Sequence, residues 1–116
     1  MTGSTSEIVY ENPQFRTTKW TISPGGTIPM HRHEHEYVVV PLSDNVMHVT
    51  TADGEVIEAR MEPGTAYGRP KGVEHRCDNR GTTDIVFIEA PETEAEMQAA
   101  LARRQRRQVA SAQRDG

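Results

Sequence analysis

The chain has 116 residues, a formal net charge of −4 and a single cysteine, Cys77. Its length suits one domain able to bury roughly two-thirds of its unfolded surface, with no room for a separate cofactor domain. The acidic balance and a pI near 5.7 argue against a nucleic-acid surface, one cysteine excludes an intrachain disulfide, and no apolar run approaches the roughly 18 residues that span a bilayer.

Residues 1–7 are small and polar and are expected to fray. Six short runs rich in β-branched residues then read as strands: 8–10, 17–22, 37–42, 46–51, 55–61 and 84–90. Between them stand Ser23-Pro-Gly-Gly26, Ser43-Asp-Asn45, Ala52-Asp-Gly54, Glu62-Pro-Gly64 and Asn79-Arg-Gly81, each with the Gly, Asn or Pro of a tight turn. Asp53-Gly54 is a hairpin signal, and Pro41 inside an apolar run predicts a bulge or a strand end. Strands at this spacing suggest a sandwich or barrel. After Pro91 the character changes. Thr93-Glu-Ala-Glu96 is a capping-box pattern, and Met97, Ala100, Leu101 and Arg104 then fall on one thin helical stripe followed by a basic tail, with five arginines between Arg103 and Arg114. Such a helix is either solvated and partly frayed, or docked on a neighbouring subunit or over a barrel mouth.

Two stretches carry the chemistry. The first runs from Gly25 through five residues to His31-Arg-His33; the second has Gly64, five residues, Pro70-Lys-Gly72, two residues, His75, three residues, Asn79. Two histidines two apart on a strand share one face, because strand side chains alternate with period two.

Together these stretches resemble the two motifs of the cupin family. The resemblance covers residues 20–90 and implies an all-β, cupin-type jelly-roll β-barrel, divided as an N-terminal arm (1–15), the barrel (16–90) and a C-terminal helix with basic tail (91–116). It also implies that His31, His33 and His75 hold one divalent transition metal: iron, zinc, manganese or nickel. One position departs. The family usually places a glutamate four residues after the second histidine, where this chain has Tyr37. Three neutral imidazoles leave a metal its full charge and more open positions, which favours an anionic ligand.

If strand geometry held from 31 to 37, His31, His33, His35 and Tyr37 would all face inward. His35 would then be a fourth ligand or a catalytic base behind the ligands; a bulge would present Glu36 instead. Tyr37 is a phenolic ligand, an acid/base group whose pKa a nearby dication would lower, or a packing residue. Arg69 and Tyr67 sit where the family usually points apolar side chains inward, so Arg69 either holds a substrate carboxylate, phosphate or enolate or reaches out to solvent. Cys77 shares parity with His75 and either lines the cavity or packs. Asn79 is expected to brace the following turn, and His48 has no determined facing.

The first expectation is therefore a metal-dependent cupin enzyme acting on a small, anionic or enolisable metabolite bound to a three-histidine centre. The alternatives are an iron(II) dioxygenase of the three-histidine type, a zinc cupin like polyketide cyclases, or a non-catalytic ligand-binding or sensory module. Expected partners are a small-molecule substrate and a second copy in a homodimer, with neither nucleic acid nor membrane. The polar start without a signal-peptide core makes a cytoplasmic location the expectation.

Overall fold

The computed structural model describes residues 2–92 of the protein, and the helix expected after Pro91 falls outside them. The described chain forms β1 (Ser4–Glu11), β2 (Arg16–Ile22), β3 (Thr27–Arg32), β4 (Tyr37–Pro41), β5 (Asn45–Thr51), β6 (Val56–Met61), β7 (Tyr67–Arg69), β8 (Glu74–Asp78) and β9 (Ile85–Glu92). These make two antiparallel sheets, a five-stranded one in the order β1-β2-β9-β4-β7 and a four-stranded one in the order β3-β8-β5-β6. They face each other across one core. Trp20, Ile22, Val39, Ile85 and Phe87 come from the first sheet; Ile28, Met47, Ala59, Met61 and Cys77 come from the second. Ile22, Met61 and Ile85 lose essentially all exposure, and such side chains contribute about 1.5–3 kcal/mol each relative to remaining in water. No helix among the described residues is long and apolar enough to cross a membrane.

Turn chemistry behaves as the sequence suggests. The β5–β6 hairpin turns at Asp53-Gly54, with Gly54 at φ 92°, and β4 ends at Pro41. Asn79 braces the loop after β8: its side-chain amide donates to Ile22 O and Thr83 O, both at 2.8 Å, and its oxygen accepts from Gly81 N.

Residues 4–7 differ from expectation. Instead of fraying they extend β1, which pairs with β2 from Ser4–Ile22 to Glu11–Arg16. Strand pairing draws on backbone groups alone, so a polar run can join a sheet edge that its side chains do not announce. The start of β1 is also stitched to the next corner, where Ser23 N donates to Gly3 O and Thr27 N to Thr2 O. Gly26 is required there for closeness and not for an unusual φ, since a Cβ would stand 2.5 Å from Gly3 O.

Candidate metal centre

His31 on β3 and His75 on β8 are direct cross-strand partners, and Ile28 is opposite Cys77. Pro29 and Met30 of β3 therefore oppose the single residue Arg76 of β8, which is a β-bulge. The bulge lets buried Ile28 and inward His31 share a face although they are an odd number apart. Proline is tolerated at such a bulge because one ladder bond is already missing. His33 lies just past β3, where its own N donates to Val73 O and its carbonyl accepts from Gly72 N, both at 2.8 Å.

The three side chains converge. Their ligating atoms lie within 4.8 Å of one another, with His31 Nε2 3.0 Å from His33 Nε2 and His33 Nε2 3.2 Å from His75 Nε2. His33 and His75 are 3% and 8% exposed, and His31 is half-buried. Outer nitrogens decide the tautomers. His31 Nδ1 is 2.7 Å from Pro29 O, a carbonyl that can only accept. His33 Nδ1 is 3.3 Å from Glu89 Oε2. With protons on both Nδ1 atoms, two Nε2 lone pairs point at each other across 3.0 Å, a repulsive arrangement that a shared cation relieves. Two imidazoles bound to one ion at about 2.0–2.1 Å have nitrogens roughly 2.9–3.4 Å apart, from a right angle to a tetrahedral one. The observed separations fall inside that span. His75 is pushed down to about 3, by burial first and then by His31, His33 and Arg69, so it is neutral, as a ligand must be. The trio could therefore hold a divalent metal.

The strand parity expected across 31–37 does not survive. After His33 the chain leaves the four-stranded sheet and crosses through Glu34–Glu36 to β4 in the other sheet, which resets the facing. His35 and Glu36 are consequently exposed, outside the cluster. Tyr37 re-enters on the inside, 2% exposed, with its ring stacked on His33 at 3.8 Å between centroids and 19° between planes. Its phenol is pushed far above the usual range, by burial first and then by the charge of Glu89. The hydroxyl is buried with no hydrogen-bond partner among the described residues.

Arg69 is paired across strands with Tyr37 and shares its face, yet it is exposed at the end of short β7. Its guanidinium lies 4.9 Å from the centroid of the Tyr67 ring. Its charge still reaches inward, lowering both Tyr37 and His75. Tyr67 is half-buried, donates to Met61 Sδ at 3.6 Å and is pushed up to about 12, mainly by burial. Cys77 packs in the core, and burial with the Glu89 charge drives its thiol up, so it is an unreactive thiol. His48 follows core residue Met47 on β5 and meets Glu58 at 3.5 Å, away from the trio.

Glu89 is the site residue that sequence reasoning missed. It is 6% exposed, on β9, opposite Thr18 and Val39. Its signal was parity: Ile85, Phe87 and Glu89 alternate along one strand, so an inward apolar face ends on a carboxylate.

Two facing antiparallel sheets with three converging imidazoles inside define an all-β barrel whose interior can take a metal ion. The chain belongs to the cupin family: residues 18–91 match the model of the cupin domain. The β-alanine degradation protein BauB of Pseudomonas aeruginosa is 39% identical over 79 residues, 68% of this chain and 82% of that protein. Among solved structures, a cupin domain from Bordetella pertussis superposes with a TM-score of 0.72 at 33% identity, covering 78% of this chain and 94% of that one. The polyketide cyclase RemF of Streptomyces resistomycificus superposes with a TM-score of 0.62 at 27% identity, covering 77% of this chain and 65% of that one.

Proposed function

We propose that the protein is a metal-dependent enzyme that binds a small anionic or enolisable molecule at one divalent transition metal held by His31, His33 and His75. The observation that carries this reading is the convergence of three imidazole nitrogens at 3.0 and 3.2 Å, two of them with their outer nitrogens committed to acceptors. Imidazole donors suit zinc, iron and nickel; a bound ion of this kind polarises a carbonyl and steadies the charge of an enolate.

The chain's own residues supply the rest. Arg69, at the end of β7, offers a fixed positive charge to an anion approaching the cluster, and Tyr67 braces it from below. Tyr37 holds the His33 ring by stacking, and a divalent ion at the trio would lower the pKa of its phenol toward the range useful for proton transfer. His35 is exposed and has no part in this scheme. The name of the Pseudomonas relative ties that protein to β-alanine degradation; β-amino acids carry a carboxylate, which supports the anionic class here. Similarity to a polyketide cyclase favours a second reading, an enolisable polyketone as the molecule bound.

A thermal-shift screen tests the proposal. Small β-amino and β-keto acids should stabilise metal-loaded protein more than their neutral amides do, and chelator-treated protein should not discriminate. Equal responses from loaded and chelated protein would overturn it.

A further inference from the structure

A carboxylate inside an apolar barrel needs a physical reason, because burying it costs several kcal/mol unless charge or hydrogen bonds compensate. Glu89 stands at an inward position of β9 directly after Ile85 and Phe87 on the same face, where an apolar side chain would pack without that cost. Its Oε2 lies 3.3 Å from His33 Nδ1, on the side of the ring away from His31 and His75. The contact crosses the molecule: His33 continues the β3 strand of the four-stranded sheet, and Glu89 belongs to the other sheet.

We propose that Glu89 is a positioning residue of the metal centre: its carboxylate holds the proton of His33 on Nδ1, aims Nε2 at the ion, and supplies from behind the ligand a negative charge that three imidazoles lack. This inference rests on the metal reading above. A carboxylate accepting from the outer nitrogen of a ligating histidine fixes the tautomer and raises the basicity of the inner nitrogen. Tyr37 completes the hold, since its ring lies on the imidazole face at 3.8 Å while Glu89 takes the edge. The face contact limits tilt and the edge contact limits rotation.

Zinc affinity, measured by competition with a chromophoric chelator, separates this role from simple packing. Glu89→Gln keeps the volume and a polar oxygen but removes the charge. It should bind zinc about 10- to 100-fold more weakly than wild type, with an unchanged β-sheet circular dichroism spectrum. Equal zinc affinity in the two proteins would overturn the inference. Wild-type protein that takes up no zinc would overturn the metal reading beneath it, a different and separable result. A second measurement needs no variant. Long-range 1H–15N NMR of the metal-free wild type should show His33 protonated on Nδ1; protonation on Nε2 would equally overturn the proposal.

Discussion

The two sheets contribute differently to the same site. The three imidazoles come from the four-stranded side, where β3 and β8 set His31 opposite His75 and carry His33 just beyond. Support comes from the five-stranded side, where β4 brings the Tyr37 ring and β9 the Glu89 carboxylate onto His33. His33 is the residue both sheets touch. The lesson is that a motif records the donors, which are close in sequence and register, whereas the groups that orient and charge those donors arrive from the opposite layer.

Removing the shared residue should break the comparison most severely. His33→Ala deletes one ligand and both cross-sheet contacts, so zinc affinity should fall by at least two orders of magnitude in the same competition assay; near wild-type affinity would mean that His33 is no ligand. Asn79→Ala tests how far the sheets depend on a tie outside the site. It takes the Asn79 amide from the buried carbonyl of Ile22, while Thr83 O keeps a second donor in Asn45, and should cost about 1–3 kcal/mol in denaturant unfolding, with zinc stoichiometry intact.

Arg69→Met removes the rim charge alone. A charged hydrogen bond is worth about 1.5–3 kcal/mol when buried and less at an exposed position, so a stabilising carboxylate should bind roughly 5- to 10-fold more weakly, with metal content unchanged. If carboxylates and neutral compounds lose affinity equally, Arg69 is only a surface residue.

Acid sensitivity sharpens the ligand side. His75 has its folded pKa depressed to about 3 from the ordinary 6.5, so the unfolded chain binds the extra proton between those values. Stability is complete above pH 6.5 and declines as pH falls toward 3. Metal-free wild type should therefore lose melting temperature more steeply from pH 7 to 4 than His75→Gln does, and parallel curves would contradict a buried neutral His75. The smallest effect belongs to Tyr37→Phe. The hydroxyl has no partner to lose, so stability should be unchanged or higher by up to about 1 kcal/mol. Turnover then assigns its role: a proton donor loses about 10²–10⁴-fold, a packing ring loses none.

Much of this was legible in the chain. Turn residues marked the hairpins, and fixed spacings marked His31, His33 and His75. Where reading failed, the cause was long-range geometry. Parity cannot be carried from His33 to Tyr37 because the chain changes sheets between them, which turned His35 outward. The bulge at Pro29-Met30 is set by the β8 register, and Pro29 is its local sign in the sequence. Residues 4–7 form a strand because the β2 backbone offers partners. Glu89 lies 56 positions from the histidine it supports, and only the closed barrel brings them to 3.3 Å.

The central claim is that one metal ion sits among three imidazole Nε2 atoms. Anomalous diffraction from crystals of protein purified without added metal, collected above and below the absorption edge of the element found, tests it most directly. The account predicts one strong peak per chain, about 2.0–2.2 Å from Nε2 of His31, His33 and His75. A map without a peak there, or with the peak on other residues, would contradict it.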